Sequence, residues 1–250
     1  MVVLKTSREL AKMREAGRIS ANALKLAGQA VEPGVSTAEI DRVVRKYIEG
    51  QGAKPSFLGY GGFPASACIS VNDEVVHGIP SKKRILKSGD IVSIDVGAFI
   101  DGFHGDNAWT FACGDISAQA QGLLDATKES LFEGIKQAVA GNRIGDIGSA
   151  VQRYVEARNY SVVRDYVGHG VGAKLHEDPS VPNFGTPGRG VRLLPGMTIA
   201  IEPMINLGTH KVRVLDDDWT AVTADGKLSA HFEHSVAITA DGPVILTVAD

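Results

Sequence analysis

Residues 86–95 read LKSGDIVSID, and residues 193–202 read LLPGMTIAIE. Each stretch has a glycine turn followed by apolar, strand-like residues, and each ends in a carboxylate, Asp95 or Glu202. The two stretches lie 107 residues apart. A carboxylate at the end of a strand that would otherwise be buried is costly unless a cation neutralises it. The matched pair therefore indicates a repeated structural unit and a charged site.

The helical segments before these stretches repeat at the same distance. Gly34 and Gly141 each interrupt a helical pattern, and Tyr47 and Tyr154 occupy matching positions in the helices that follow. One offset that relates both helix and strand motifs indicates an internal duplication. We therefore expect a single domain over residues 1–250, made of two pseudo-symmetric halves at roughly 7–117 and 118–250.

Each half has the pattern helix, helix, then antiparallel strands. Helical spacing of apolar residues predicts helices over 7–30, from residue 36, after Ser117 and through 147–155. Two strand-like runs flank Asp101-Gly102, which is typical of a hairpin. The expected class is α/β (α+β), with helices on the convex face of a curved antiparallel sheet. A pseudo-two-fold axis would bring the carboxylates of the two halves face to face.

Composition excludes several classes of protein. The apolar fraction of 44% and the charged fraction of 22% are ordinary for a globular enzyme, and a net charge of −3 argues against nucleic acid as a substrate. No run approaches the roughly 18 apolar residues of a membrane span, and the charged N-terminus is unlike a secretory signal. Two cysteines form no framework of disulfides. We expect a cytoplasmic protein.

Four carboxylates interrupt or end strand-like runs: Asp95, Asp106, Glu202 and Glu233. Asp95 and Asp106 lie on the two arms of the predicted hairpin, where such residues can sit opposite each other on one face. A turn-capping role for Asp106 stays open. Since an oxygen-rich set of ligands suits two divalent ions, the pattern predicts a pair of Mn, Fe(II), Co or Zn ions.

The run Gly168–Pro179, GHGVGAKLHEDP, places His169 and His176 among glycines and indicates chemistry more than packing. His77 precedes a Gly-Ile-Pro turn, so it could orient a substrate or close a loop. The remaining four histidines are interpreted as structural or solvent-facing: His104, His210, His231 and His234.

Six runs together resemble a known family: YGGFPASACISVNDEVVHGIP (60–80), LKSGDIVSIDV (86–96), DGFHGDNAWTF (101–111), YVGHGVGAKLHEDP (166–179), PGMTIAIEPM (195–204) and WTAVTADGKLSAHFEHSVAIT (219–239). In this order they resemble the type I methionine aminopeptidases, which adopt the pita-bread fold. The resemblance implies a dinuclear metallo-aminopeptidase. It would remove the initiator methionine when the second residue is small and uncharged, by attack of a water or hydroxide that bridges the two ions.

The resemblance also implies the roles of individual residues. It implies that Asp106 and Glu233 bridge two ions, that Asp95 completes one, and that His169 and Glu202 complete the other. Glu202, His176 and His77 are the expected catalytic residues. The expected substrate-binding residues are Tyr60, Phe63, Cys68, His77, Leu175, His176 and Trp219. Trp219 follows the acidic run Asp216–Asp218, so a surface position in a loop stays open for it.

Some positions depart from the family pattern. Leu175 stands where an aromatic residue is common, and Phe57 and Phe63 stand where Cys or Tyr is more frequent. These departures concern the shape of the methionine pocket. We expect the short form of the enzyme, with no N-terminal extension. The expected partners are nascent polypeptide N-termini, with no nucleic acid substrate and no membrane; contact with the ribosome is allowed, and a monomer is expected.

Two other readings remain open. A proline-directed peptidase of the same fold, an aminopeptidase P or prolidase, would share the five ligands but usually carries a separate N-terminal domain. A pseudoenzyme that binds protein or nucleic acid would be marked by loss of ligands. Cleavage of Met-Ala-Ser against an Xaa-Pro peptide distinguishes these functions.

Overall fold

The computed structural model describes residues 2–250. Within this part the α-helices are Ser7–Gln29 (α1), Thr37–Gly50 (α2), Ala118–Lys136 (α3) and Ile144–Glu156 (α4). The strands are Lys54–Pro55 (β1), Ala67–Val71 (β2), Glu74–Val76 (β3), Ile91–Ile100 (β4), Phe103–Ala112 (β5), Ser161–Val162 (β6), Gly168–Gly170 (β7), Glu177–Val181 (β8), Thr198–Ile201 (β9), Met204–Asn206 (β10), Val212–Val214 (β11), Ala221–Thr223 (β12), Ser229–His231 (β13), His234–Thr239 (β14) and Gly242–Ile245 (β15). No helix in residues 2–250 is long and apolar enough to cross a bilayer.

The first two helices begin where the sequence predicts. Thr6 and Ser36 each accept a hydrogen bond from the backbone N–H three residues later, at Glu9 and Glu39. Each glutamate carboxylate accepts in return from the N–H of the capping residue, at 2.7 and 2.9 Å. Such capping typically stabilises a helix by about 1 kcal/mol.

The strands form four antiparallel sheets. Strand β4 pairs with β5 along one edge and with β2 and β1 along the other. A five-stranded sheet has the order β15-β14-β9-β7-β8, and two three-stranded sheets have the orders β13-β10-β6 and β11-β12-β3. Helices α1 and α2 share a core with β2 and β4, whereas α3 and α4 share a core with β9 and β14.

The β4–β5 hairpin sets which side chains face the helices. Asp101 and Gly102 form its turn with φ of 51° and 86°, values that suit a two-residue type I′ turn. Ile94 is fully buried in the core that α1 and α2 share with the sheet. Because side chains alternate along a strand, the adjacent Asp95 points to the opposite face, away from these helices. The predicted hairpin is confirmed.

The relation predicted for the two hairpin carboxylates is wrong in one respect. Asp95 lies opposite Ala108, and Asp106 lies opposite Gly97. The two aspartates therefore share a face but are diagonal neighbours, because a two-residue turn at 101–102 fixes the pairing of the strands. Gly97 also allows the Ser56 side chain to pack closely against the hairpin, because a Cβ at position 97 would lie only 2.7 Å from that side chain.

Equivalent contacts occur in the two halves. An isolated antiparallel bridge joins Ser36 to Ile85, and a second joins Arg143 to Arg192, which are the positions 107 residues further along. Ser36 and Arg143 each immediately precede a helix, α2 and α4. These paired contacts support the division at roughly 7–117 and 118–250, which we keep as a proposal.

Candidate active site

The two halves meet where β5 runs beside the segment between β13 and β14. Ala108 and Glu233 exchange backbone hydrogen bonds, with the Glu233 N–H donating at 2.9 Å and the Ala108 N–H at 3.4 Å. Ser235 adds a second link, since its hydroxyl donates to the Asp106 carbonyl at 2.8 Å. This contact brings the Glu233 carboxylate to the face of the hairpin that carries Asp106.

Three side chains from three strand regions form a cluster of possible metal ligands. One ligand atom each from Asp106, His169 and Glu233 lies within 4.8 Å of the others. Glu202, which follows β9, lies beside them, with its Oε1 3.5 Å from the Nε2 of His169. The Oδ2 of Asp106 is 3.7 Å from the same nitrogen. The sequence-predicted residues of both halves are thus brought together.

The imidazole of His169 is oriented by its own backbone neighbourhood. Its Nδ1 lies 2.8 Å from the Gly170 carbonyl, which can only accept, so Nδ1 carries the proton. Burial lowers the pKa of His169 to about 4, and the ring is neutral at pH 7. Its Nε2 therefore presents a lone pair to the oxygens of Asp106 and Glu202, an arrangement that a cation would stabilise.

The carboxylates of the site lie close together, with Asp106 and Glu233 buried and Asp95 and Glu202 partly buried. Burial, followed by the neighbouring negative charges, raises the pKa of Asp95, Glu202 and Glu233 well above the usual range. Burial raises the pKa of Asp106 to about 7. Within residues 2–250, Asp95 Oδ1, Asp106 Oδ1 and Glu233 Oε1 are buried without a hydrogen-bond partner. Such unpaired oxygens fit divalent cations, because hard cations take oxygen ligands.

A cavity of about 320 Å³ opens beside this cluster. Every sequence-predicted site residue lines it: Tyr60, Phe63, Cys68, His77, Asp95, Asp106, His169, Leu175, His176, Glu202, Trp219 and Glu233. The cavity is thus a single space that has carboxylates and imidazoles at one part of its wall and apolar side chains at another.

The apolar part of the wall is a compact cluster. Phe63 and Trp219 meet edge to face with ring centroids 5.1 Å apart, and Cys68 and Leu175 belong to the same buried group. Burial raises the pKa of the Cys68 thiol, so it stays protonated. Trp219 is half-buried and packs on Phe63, which is unlike a surface residue in a loop.

His176 and His77 border the cavity from two loops. The Nδ1 of His176 lies 2.7 Å from the Tyr60 hydroxyl, and its ring meets the His169 ring edge to face at 4.2 Å. His77 has φ of 61°, unusual outside glycine, and packs edge to face on Tyr166 at 5.3 Å. Burial lowers the pKa of His77 to about 4.

Residues that the sequence did not single out also line the cavity. His231 was expected to be structural or solvent-facing, but it is buried in the wall, with its Nε2 3.8 Å from Glu202 Oε2. Tyr166 and Met204 are further lining residues that the sequence analysis missed. The alternation that places His231 on the face of Glu233 was the available signal for it.

The other histidines lie outside the cavity. His104 contacts the Ser56 hydroxyl at 2.8 Å, and His234 contacts the Thr247 hydroxyl at 2.8 Å. Burial lowers the pKa of both rings to about 4. A structural role, as expected, accounts for these two contacts.

Comparison with known proteins gives consistent matches over the whole chain. The model of metallopeptidase family M24 matches residues 11–240. A methionine aminopeptidase of Clostridium acetobutylicum is 53% identical over 250 residues, which is 100% of both chains. The structure of methionine aminopeptidase from Thermotoga maritima has a TM-score of 0.97 and 46% identity, and the match covers 99% of both chains. The prolidase of Pyrococcus horikoshii OT3 has a TM-score of 0.81 at 23% identity, covering 100% of this chain and 65% of the prolidase, a likeness of fold alone.

Proposed function

Because the chain belongs to metallopeptidase family M24, we propose that the cavity is the site at which it removes an N-terminal methionine from peptides. The chain has the pita-bread fold and acts as a metal-dependent hydrolase, a methionine aminopeptidase. The observation that carries the assignment of the site is the cluster of Asp106, His169 and Glu233, whose ligand atoms lie within 4.8 Å. We propose further that the second residue of the substrate must be small and uncharged.

The residues that would hold two ions are Asp95, Asp106, His169, Glu202 and Glu233, and Asp106 and Glu233 would contribute to both. Bound divalent ions would activate a water molecule and polarise the scissile carbonyl. The donor set suits Mn, Fe(II) or Co, and Zn also fits. The buried oxygens without partners support this assignment, as does the Nε2 lone pair of His169, which faces the carboxylates.

Glu202 is the proposed general base. Its carboxylate lines the cavity beside His169, where it can take the proton of the attacking water and pass it towards the leaving amine. Such general acid–base catalysis contributes typically about 10²–10⁴-fold. The Glu202 backbone is held in place, since its carbonyl accepts a hydrogen bond from Asn183 Nδ2 at 3.0 Å.

The methionine side chain of the substrate is proposed to occupy the apolar part of the cavity. Phe63 and Trp219 supply aromatic faces, Cys68 supplies a sulfur atom, and Leu175 and Tyr60 complete the wall. A thioether packs favourably against aromatic rings, typically by about 0.3–1.5 kcal/mol. Leu175 is 2% exposed, so an aromatic residue at this position would need the wall to move.

His176→Ala is expected to lower kcat by at least about tenfold and to leave the metal content unchanged. When the Tyr60 hydroxyl donates to Nδ1, Nε2 of His176 carries the proton and can donate to the oxyanion that forms on the scissile carbonyl. Kinetics on Met-Ala-Ser and metal analysis by mass spectrometry measure the two quantities. Loss of metal in the variant would make His176 a ligand and contradict this role.

His77→Ala is expected to retain both metals and to lose at least about tenfold in turnover, equivalent to about 1.4 kcal/mol of transition-state stabilisation. The neutral ring of His77 can hydrogen-bond the backbone of the scissile dipeptide and orient it. Because the pKa of His77 is about 4, the ring is already neutral above pH 6. The pH profiles of the variant and the parent should therefore be parallel from pH 6 to 9, whereas unchanged turnover would identify a structural loop residue.

Competition between peptides tests the proposed function. The chain is supplied with Mn²⁺ or Co²⁺ and offered Met-Ala-Ser, Met-Lys-Ser and an Ala-Pro peptide, with free amino acids measured by mass spectrometry. Release of methionine from the first peptide alone is the expected result. Cleavage of the Ala-Pro peptide would favour a proline-directed peptidase, and absence of any cleavage with metal bound would favour a binding protein.

The setting in which the chain works is a further part of the proposal. Its proposed substrates are nascent polypeptide N-termini, and its proposed location is the cytoplasm. It is proposed to act as a monomer that can contact the ribosome. Sedimentation of the purified chain with and without ribosomes measures the last two properties.

A further inference from the structure

The segment of residues 2–6, here named the N-terminal arm, lies against the part of the fold that carries His176. The Lys5 N–H donates to the Gly196 carbonyl at 2.7 Å, next to the turn before β9. The Lys5 side chain is only 3% exposed. Its ammonium group donates to Glu177 Oε2 and to the Val3 carbonyl, the latter at 3.3 Å. A lysine buried to this degree is uncommon unless it is paired.

Glu177 directly follows His176 at the start of β8, and its carboxylate makes two different connections. One oxygen accepts from Lys5, and the other, Oε1, accepts from the Lys174 backbone N–H at 3.1 Å. The Glu177 side chain is 9% exposed. We name residues 171–176 the His176 loop. Through Glu177 this loop is connected to Lys5, in a segment more than 160 residues away in sequence.

The backbone of the His176 loop is shaped to admit this ion pair. A Cβ on Gly172 would lie 2.5 Å from Lys5 Cε and 2.6 Å from Glu177 Oε1, so a side chain there would push the pair apart. The Gly172 N–H donates to the Lys174 carbonyl at 3.0 Å, and the Gly172 carbonyl accepts from the His104 N–H at 2.9 Å. Gly172 is thus held from β5 through the His104 N–H, and Glu177 holds Lys174 at the other side of the pair.

A buried ion pair is weak evidence for stability, because desolvation of the two charges offsets their attraction. A role in fixing geometry accounts better for a pair that touches the loop of a site residue. We propose that Lys5 is a positioning residue: through Glu177 it holds the His176 loop so that the His176 imidazole faces the cavity. This inference rests on the proposed role of His176 in catalysis.

A double-mutant cycle tests the inference. Lys5→Met and His176→Ala are prepared alone and together, with Lys12→Met, an exposed lysine of α1, as the matched control. Lys5→Met is expected to lower kcat on Met-Ala-Ser at least about fivefold, with unchanged metal content, and to have no further effect when His176 is Ala. When one residue acts through another, the effects of the two substitutions are not additive. Lys12→Met should match the parent chain.

Lys5→Met leaves the Glu177 carboxylate buried without its cation, so the variant could unfold. Lys5→Met with Glu177→Gln removes both charges, and it should fold and show the same loss of kcat. Thermal unfolding of every variant separates folding from positioning. An unchanged kcat in a folded Lys5 variant, or a loss of equal size with and without His176, would overturn the inference. If His176→Ala itself has no effect, the proposed function of His176 fails instead.

Discussion

Asp106→Asn is expected to abolish tight metal binding and to lower kcat/KM by at least about a thousandfold, which corresponds to about 4 kcal/mol of transition-state stabilisation. Asp106 is 3% exposed and its Oδ1 has no hydrogen-bond partner within residues 2–250, so the carboxylate is available to a cation. Its Oδ2 lies 3.7 Å from Nε2 of His169. The amide of Asn keeps the shape of the side chain but removes its charge and one of its acceptor oxygens.

In the metal-free protein, the same substitution should raise the thermal stability of the fold. Four carboxylates lie close together, two of them buried and two partly buried, and Asn at position 106 removes one of the mutually repelling charges. We expect the metal-free Asp106→Asn variant to unfold at a higher temperature than the metal-free parent at pH 8. Isothermal titration with Mn²⁺ and thermal unfolding in chelator measure both effects. Asp101→Asn, at the exposed turn of the same hairpin, is the matched control and should change neither; tight metal binding by Asp106→Asn would contradict the ligand assignment.

Much of the fold could be predicted from the sequence because its signals are local. The starts of α1 and α2 and the Asp101-Gly102 turn depend on residues within a few positions of one another, and each occurs where it was predicted. The placement of Asp95 away from the helices also follows from simple alternation along β4. The order of the motifs over most of the chain gave the family resemblance, and the comparisons confirm that family.

Pairing and long-range contacts were harder to predict. The two-residue turn places Asp95 opposite Ala108, so direct opposition to Asp106 was excluded by the length of the turn itself. His231 ends β13, and β14 begins at His234 in a different sheet, so alternation along one strand did not show that the His231 ring reaches Glu202. The contact between Lys5 and Glu177 has no local signature, because it joins residues 172 positions apart.

The side chains of the site differ in how firmly the backbone holds them. Asp95 and Asp106 stand on a hairpin held by ten paired positions, whereas His176 lies in a loop outside any strand. A residue on a loop needs supporting contacts to be held for catalysis. Tyr60 contacts the His176 ring, and Glu177 fixes the backbone next to it. Loss of either support is therefore expected to affect turnover more than metal binding.

Glu202→Gln is expected to lower kcat by about 10²–10⁴-fold, the usual contribution of a general base, even when the metal concentration is saturating. Glutamine is nearly the same size and can retain one oxygen near the 3.5 Å position that Glu202 Oε1 holds beside His169. It cannot accept the proton of the attacking water. The Michaelis constant should change little, because the proposed methionine pocket is the part of the wall formed by Phe63 and Trp219.

Glu202 is also a proposed ligand, so weaker metal binding could by itself lower the rate. Activity is therefore measured over a full titration of Mn²⁺ and extrapolated to saturation, where a pure ligand effect disappears and a loss of the base remains. Glu129→Gln, an exposed glutamate on α3, is the matched control and should follow the parent curve. If Glu202→Gln recovers to within about tenfold of the parent at saturating metal, Glu202 contributes as a ligand and the proton passes through another group.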